Sequence, residues 1–443
     1  MQKENISNTF SRALQGNNKF IELAKIAAVV VTTLFFCLSM TTFDDTRNWF
    51  KIIFDAITAL CIIYGLAANI AKFKRIDIPV LILTILYFIS RFISYSLNGI
   101  PVTFGGAIML QAFYLIGISK YLYGGRSRQK VAVITFLTFD IGIMLLNYYN
   151  LYFRSEYVEK ALEKYLVKGM LAETNMFQSK NYAGMIAGAT IVICFAEILN
   201  KKFNKTTTLI LAPVIVLNLV MLYVHSHCRS GQLGVIVIAM LTAAIIGIKR
   251  IDSARNIVAF SLIFCFLTLI PLYGLVYWHD NNQYLDNTPV EQKIDDASSF
   301  RYAIWKTTIL SQEGHLLFGY GNNTNAAKKK NAYIESCDPD KVSVSYIMAA
   351  EHKRQHNGYL AQLNETGIVG SVLLLLLLLA RIRGFRGRFR DGQWDKLLLI
   401  YIFWLNLFEA KLILANFFTG FLLMIMLLPS GEDNNYEKAS EKS

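Results

Sequence analysis

Residues 358–380 read GYLAQLNETGIVGSVLLLLLLLA, an apolar run long enough to cross a lipid bilayer once as an α-helix. Similar runs recur from Phe20 to Leu428, and 54% of the 443 residues are hydrophobic. Such runs satisfy their backbone hydrogen bonds within one helix, whereas the strands of a membrane barrel show strict alternation. The sequence therefore predicts an all-α fold in a multi-pass (polytopic) membrane protein.

We expect about twelve transmembrane helices. The last apolar stretch is divided in two because Glu409-Ala410-Lys411 interrupts it and its length exceeds one crossing. The predicted organisation is nine helices within 1–277, a large loop at 278–357, three helices within 358–428 and a tail at 429–443. The predicted spans are 20–40, 52–70, 77–97, 101–119, 131–152, 182–199, 206–224, 230–248, 256–277, 358–380, 396–409 and 411–428.

Lysine and arginine concentrate in alternate connections between these spans, and positive residues next to a span are retained in the cytoplasm. The most basic connection, 381–396, contains Arg381, Arg383, Arg386, Arg388, Arg390 and Lys396. The pattern predicts cytoplasmic termini and places the long loops 153–181 and 278–357 on the outer side. The formal net charge of +13 then reflects membrane orientation and not a surface that binds nucleic acid.

The cysteines and histidines show no metal-ligand spacing. Cys228 and Cys337 both fall outside the predicted spans, so a disulfide between them stays open, although nothing in the sequence fixes their distance. His225 and His227 are too close in sequence to form one tetrahedral site without distant ligands. We therefore expect no metal.

Arg229 lies in the short connection after the predicted seventh helix, on the side that the charge pattern keeps poor in arginine. A guanidinium presents a rigid fork of donors that suits phosphate, which makes Arg229 a candidate anion anchor. The alternative is an interfacial arginine that extends toward lipid headgroups.

The large loop contains a helical pattern that begins near Ser298. It predicts a helix packed on the top of the bundle, with Arg301 beside its apolar face and the turn Gly319-Tyr320-Gly321 closing the element. Arg301 is then either a functional cation or a solvated residue. The residues at helical spacing are Phe300, Ala303, Ile304, Thr307 and Leu310.

His356 ends the loop at the start of the predicted tenth helix. A histidine there titrates near neutral pH and can take a proton from a hydroxyl group. The alternative is a residue that hydrogen-bonds the helix N-terminus. Glu365 lies about two turns further along, and an ionisable side chain inside a span is a functional candidate. Gly367 and Gly370 favour close helix packing.

Taken together, these motifs resemble the superfamily of O-antigen ligases and O-antigen polymerases, which are bacterial membrane glycosyltransferases. The matching elements are Ser-x-x-Arg-Ser at Ser226–Ser230, an Arg-x-x-x-Trp run leading to Leu-Phe-Gly-Tyr-Gly within Ser298–Gly321, and His-Asn-x-x-Leu with Glu-x-Gly-x-x-Gly within His356–Gly370. A further element entering the sixth helix is matched by Phe177, Asn181, Ala183 and Gly184.

The resemblance implies a fold similar to that of GT-C-like ligases and transfer from an undecaprenyl-diphosphate-linked glycan to a glycan acceptor, on the outer face of the bacterial inner membrane. It implies metal-independent transfer with inversion, in which Arg229 and Arg301 bind the diphosphate and His356 acts as general base. Membrane lipids and a chain-length regulator protein are the further partners that we expect, with no cofactor and no nucleic acid. The remaining candidate substrate-binding residues are Ser226, Ser230, Asn357, Glu365 and Asn181.

Two functions within the superfamily stay open. The Asn-Gly-Tyr-Leu sequence after His356 favours a polymerase that joins repeat units of an O-antigen, capsule or exopolysaccharide. The other is a ligase that moves finished glycan onto lipid A core or another acceptor. A polysaccharide or lipid transporter is an alternative of a different class, but transporters tend to show paired halves, and no internal repeat is visible here.

Two patterns complete the sequence predictions. Within 153–181, apolar residues from Tyr157 to Leu166 share one helical face and charged residues from Glu159 to Lys168 share the other, which predicts an interfacial helix. The ionisable residues near or within spans are expected to pair at least partly between helices; they are Asp55, Arg91, Asp140 and Glu197.

Overall fold

The computed structural model describes residues 22–35, 37–38, 40–41, 78–101, 126–154, 176–177, 179–248, 250–279, 289–298, 301–338, 342–351, 355–385 and 387–409. The predicted spans at 52–70 and 411–428, nearly all of 101–119, and the predicted interfacial helix lie outside these residues. Contacts divide the chain into two compact units. One comprises Met1–Phe73, Phe113–Ala183 and Leu428–Ser443, and the other comprises Lys74–Ala112 and Gly184–Leu427.

The described residues are mostly helical, and their only extended pairings are two isolated bridges, Thr41 with Phe177 and Ser253 with Arg388. Residues 22–35 form a first helical stretch. The labelled helices are α1 (Ile78–Leu97), α2 (Arg126–Phe153), α3 (Lys180–Asn200), α4 (Lys205–Val220), α5 (Arg229–Gly247), α6 (Ala254–Leu267), α7 (Leu269–His279), α8 (Pro289–Ser298), α9 (Arg301–Leu310), α10 (Asn323–Glu335), α11 (Val344–Glu351), α12 (Gly358–Ile382) and α13 (Leu397–Leu405). A π-helical turn, Met221–His225, extends α4, and two 3₁₀ turns, Phe389–Asp391 and Trp394–Lys396, precede α13.

Six of these helical segments are long and apolar enough to cross a membrane. This confirms an all-α, multi-pass membrane protein, while the count of twelve spans stays a prediction. α1 adds a shorter apolar helix at Ile82–Leu97. The six segments are Gln129–Phe153, Lys180–Asn200, Lys205–His225, Arg229–Gly247, Ala254–Tyr277 and Gly358–Ile382.

α12 is interrupted at Gly367, whose backbone has φ +66° and ψ −169°. In a continuous helix the N–H groups of Ile368 and Val369 would donate to the carbonyls of Asn364 and Glu365. Here Ile368 N donates to Leu316 O at 2.9 Å and Val369 N to Leu317 O at 3.2 Å. The two carbonyls left open by the interruption therefore need donors from another part of the chain.

Those donors come from the same loop segment, Leu316–Gly321. Tyr320 N and Gly321 N each donate at 2.8 Å, to Asn364 O and Glu365 O respectively. Four backbone hydrogen bonds thus replace the two that the helix loses, which satisfies the requirement that buried backbone groups be paired. The Leu-Phe-Gly-Tyr-Gly and Glu-x-Gly-x-x-Gly motifs are the two halves of this junction.

Helix α9, Arg301–Leu310, lies within the stretch from Ser298 where the sequence predicts a helix, and it is buried on its polar side as well. Lys306 Nζ lies 2.9 Å from Glu291 Oε1 in α8, and both side chains are only 2% exposed. The Tyr302 hydroxyl donates to the same carboxylate oxygen at 3.4 Å. Because α8, α10 and α11 all contact α9, the loop forms a packed helical layer with its own buried ion pair.

Lys330 in α10 is buried and donates to the carbonyl of Ala349 in α11. Burial lowers the pKa of Lys330 to about 8. Between about pH 8 and pH 10.5 the unfolded chain binds more protons here than the folded one, so this residue makes stability rise with pH across that window. Below about pH 8 the cost of burying the cation is fully present.

We expect the wild-type protein in detergent to have a higher thermal midpoint at pH 9.5 than at pH 7. Lys330→Met should remove this difference between the two pH values. The measurement is fluorescence-monitored unfolding at both pH values. Lys328→Met is the matched control, because Lys328 is exposed on the same helix. Equal pH dependence in wild type and Lys330→Met would contradict the assignment.

Candidate functional site

Arg301, the first residue of α9, pairs with an acidic residue at the end of α13. Its Nη2 lies 3.1 Å from Glu409 Oε1, and the two side chains are 13% and 12% exposed. A charged hydrogen bond of this kind fixes the guanidinium in one place. In the sequence, Glu409 is interpreted only as an interruption between two spans, so its role as the partner of Arg301 is missed. The signal that could have revealed it is an acidic residue at the end of an apolar run.

His356 lies just before α12 with φ +50°, a left-handed backbone conformation that is uncommon for residues other than glycine. Hydrogen bonds hold the chain on both sides of it. Trp305 Nε1 donates to Gln355 O at 2.8 Å, and Gly358 N donates to Asn406 O at 2.7 Å. The surrounding contacts therefore determine this conformation, and the imidazole itself is half-buried.

Asn357 is the N-cap of α12. Its side-chain oxygen accepts from Tyr359 N at 3.0 Å and from Leu360 N at 2.9 Å, which satisfies two of the free donors at the helix start. Asn357 is 4% exposed. Its contacts orient the start of α12, and its predicted contact with substrate stays a prediction.

Arg301 and His356 border the same point, the end of α13. Arg301 and Trp305 lie one turn apart in α9; the first contacts Glu409 and the second contacts the residue before His356. Asn406, three residues before Glu409, binds the residue that follows Asn357. Gly358 is required there, because a Cβ atom would lie 2.6 Å from the Asn406 side-chain oxygen.

Arg229 begins α5 and is exposed, and its guanidinium donates to the Asp296 carbonyl of α8 at 3.4 Å. The pKa of the thiol of its neighbour, Cys228, depends on nearby charges. Burial raises the pKa of the Cys228 thiol, the charge of Glu409 raises it further, and the charge of Arg301 lowers it. Asp296, which Arg229 contacts, follows Asp295, whose carboxylate accepts from Ala303 N of α9 at 2.9 Å. The turn that carries Arg229 and the first turn of α9, which begins with Arg301, therefore belong to one region.

Ser226 and Ser230 are buried and shape this turn. Ser226 Oγ donates to Leu222 O at 3.2 Å and accepts from Cys228 N at 3.3 Å, and Ser230 Oγ lies 3.3 Å from Cys228 Sγ. The turn also packs on α3, where a Cβ at Gly184 would lie 2.1 Å from the Cys228 Cβ. These contacts account for both serines structurally, and their role toward substrate stays a prediction.

Glu365 forms a buried ion pair with Arg91 of α1, at 3.0 Å between Oε2 and Nη2. Tyr87 donates to Gln362 at 3.1 Å, one turn before Glu365 in α12. The pair joins α1 to the first part of α12 and gives Arg91 the interhelical partner that the sequence analysis expected. Asn181 lies half-buried in the first turn of α3, and its backbone N–H donates to Ser179 Oγ at 3.2 Å.

The cysteines left open as a pair, Cys228 and Cys337, are both free thiols. Within the described ranges, no group of three or more His, Cys, Asp or Glu side chains is placed to hold a metal ion. Among the described residues, the candidate site brings together Arg301 and Glu409, and the backbone on both sides of His356 contacts the same elements.

Residues 213–375 match a family model described as O-antigen ligase. This segment is similar to O-antigen ligases. The relationship to the O-antigen ligase and polymerase superfamily, expected from the motifs, is confirmed over this segment. A search among curated proteins found no match.

The matched segment includes Arg229, Arg301, His356 and Glu365, whereas Asn181 and Glu409 lie outside it. The family supports a membrane glycosyltransferase of the general ligase or polymerase type that uses a lipid-linked glycan. The partner of Arg301 therefore comes from a part of the chain that the family match does not cover.

Proposed function

We propose that the protein is a polymerase that joins undecaprenyl-diphosphate-linked repeat units of an O-antigen, capsule or exopolysaccharide at the outer face of the bacterial inner membrane. The observation that carries the proposal is the arrangement at the end of α13, where a cation held by Glu409 and a histidine in a fixed backbone conformation border one site. A chain-length regulator protein is the partner expected of such a polymerase.

The chemistry is a single displacement. An acceptor hydroxyl oxygen attacks the anomeric carbon, the bond from that carbon to the diphosphate oxygen breaks, and undecaprenyl diphosphate leaves. His356 takes the hydroxyl proton, and attack from the face opposite the leaving group inverts the anomeric configuration. One further negative charge develops on the diphosphate as it leaves, and fixed cations aimed at developing charge lower the barrier.

Arg229 and Arg301 supply those cations. A guanidinium binds phosphate oxygens through paired N–H donors and keeps its charge at any physiological pH. Arg301 is held by Glu409, while Arg229 is exposed and donates to the Asp296 carbonyl. Arg301 is therefore preorganised, and Arg229 can adjust to the diphosphate when it binds.

Ligase activity is the second candidate, because the matching family is described as O-antigen ligase. The two reactions share donor, cations and base and differ in the acceptor. The test is a strain lacking the gene, with lipid-linked glycans extracted and separated by size. Single units that accumulate on the carrier support the polymerase, and long chains that accumulate on the carrier support the ligase. Accumulation of neither contradicts both.

Glu409→Gln is expected to lower glycosyl transfer about tenfold, mainly through a higher KM for the lipid-linked donor. A hydrogen bond to a charged group contributes about 1.5–3 kcal/mol, and its loss frees Arg301 from one position. Transfer rates at varied donor concentration provide the measurement, and Glu409→Asp should recover part of the loss because the charge returns.

Glu197→Gln is the control for Glu409→Gln, since Glu197 is exposed on α3. It should transfer at the wild-type rate. A wild-type KM in Glu409→Gln would show that the ion pair does not position Arg301 for the donor.

A further inference from the structure

The interruption of α12 lies at membrane depth. The part after the interruption, Ile368 to Ile382, rises only about 22 Å at 1.5 Å per residue, which is less than the ~30 Å hydrocarbon core of a bilayer. The exposed Arg383 follows directly at the other end. The interruption at Gly367 therefore lies several ångströms below the hydrocarbon surface on the side of the large loop.

Non-helical backbone at this depth must be paired within the protein, because the hydrocarbon offers no partners. The pairing groups are those of Leu316, Leu317, Tyr320 and Gly321, which bind the backbone on both sides of Gly367. The loop segment that carries them is thus drawn down to the same level as Gly367. The close approach leaves no room for a side chain, since a Cβ at Gly319 would lie 2.6 Å from Asn364 O.

The outer side of this junction is apolar and exposed. Leu316 is 40% and Leu317 is 62% exposed, and their carbonyls bind the first residues after the interruption. Along α12 below them, exposed apolar side chains recur every four residues and so share one face. They are Ile368 (41%), Val372 (48%) and Leu376 (45%). The face that a spanning helix presents to lipid therefore continues onto the loop.

We propose that Leu316–Gly321 is a re-entrant segment of the large loop, and that its Leu316 and Leu317 side chains contact the acyl chains of phospholipids in the leaflet on the loop's side. The segment follows α9 after a short turn. The helix that begins with Arg301 is therefore attached to the bilayer through Leu316 and Leu317 as well as to α12. This inference is independent of the proposed transfer reaction.

The test is nitroxide accessibility in the full-length protein, reconstituted into phosphatidylethanolamine and phosphatidylglycerol vesicles. Leu317→Cys and, separately, Ser336→Cys are spin-labelled in a background with Cys337→Ser. Ser336 is exposed at the end of α10 and serves as the aqueous reference. At position 317 we expect collisions with oxygen to exceed those with a water-soluble nickel chelate, and at position 336 the reverse.

A label at position 317 that meets the nickel chelate as often as the label at position 336 overturns the proposal, because the segment is then in water. Few collisions with either reagent overturn it too, since position 317 is then covered by protein, such as a second copy of the chain. Leu316→Cys repeats the measurement one residue away. Both leucines are exposed, so neither substitution removes a core side chain.

Discussion

His356→Ala is expected to lower the rate of glycosyl transfer by roughly 10²- to 10⁴-fold, the usual contribution of a positioned general base. His356 precedes Gly358, whose N–H donates to Asn406 O just after α13, and Glu409, the partner of Arg301, lies three residues further on. The measurement is transfer by the purified enzyme at saturating lipid-linked donor. Membrane abundance should stay near that of the wild type, because the residue is only half-buried.

Because His356 has a left-handed backbone conformation, His356→Ala changes the backbone requirement as well as the side chain, and a second variant is needed. Asparagine tolerates this conformation but cannot act as a base, so His356→Asn separates the backbone requirement from the chemistry. It should be as inactive as His356→Ala. His315→Ala is the control on the same loop, because His315 packs against Tyr320 in a tilted ring contact, with ring centroids 4.5 Å apart, at the junction with α12. Wild-type transfer by His356→Asn would remove histidine from the mechanism.

Gly367→Ala is expected to remove most of the folded protein. A Cβ at this position would lie 2.2 Å from the Leu317 carbonyl carbon and oxygen, and these are backbone atoms that cannot rotate away. The backbone conformation itself is almost exclusive to glycine and costs other residues about 1–3 kcal/mol. Overpacking adds about 1–3 kcal/mol more, a large share of the stability of a typical domain.

The measurement for Gly367→Ala is membrane abundance together with the thermal midpoint in detergent. Gly274→Ala is the matched control, because Gly274 lies within α7 and a Cβ there would meet nothing within 4 Å. Alanine in a helix is favoured over glycine by roughly 0.5–1 kcal/mol, so this variant should be as stable as the wild type or more so. Equal midpoints for the two variants would contradict the close approach at Gly367.

Six of the predicted spans correspond to helices of the described residues that are long and apolar enough to cross a membrane, because a bilayer permits little else for an apolar run. It did not reveal the interruption of α12. Gly367 was interpreted as a small residue for helix packing, which is what most glycines in spans do. The partner of Gly367 is a segment some fifty positions earlier, at Leu317–Gly319, and such a pairing leaves no periodic signal in either stretch.

The site was predicted from its motifs and not from its contacts. Arg301 and His356 were identified by residue type and resemblance, whereas the residue that holds Arg301 was interpreted as a span boundary. Glu365 was identified as an intramembrane acid, and its partner Arg91 was named without an assigned pathway. In both cases one charge was visible in the sequence, but its pairing depended on helices far apart in the chain.

The hydrogen bonds between Leu316–Gly321 and the backbone around Gly367 predict the order in which the loop and α12 fold. The carbonyls of Asn364 and Glu365 accept from Tyr320 N and Gly321 N, which belong to a segment made before α12, and Ser94 Oγ of α1 also donates to Glu365 O at 2.9 Å. α12 cannot complete its backbone pairing in lipid alone. We therefore expect α12 to leave the insertion machinery only after the preceding loop has folded.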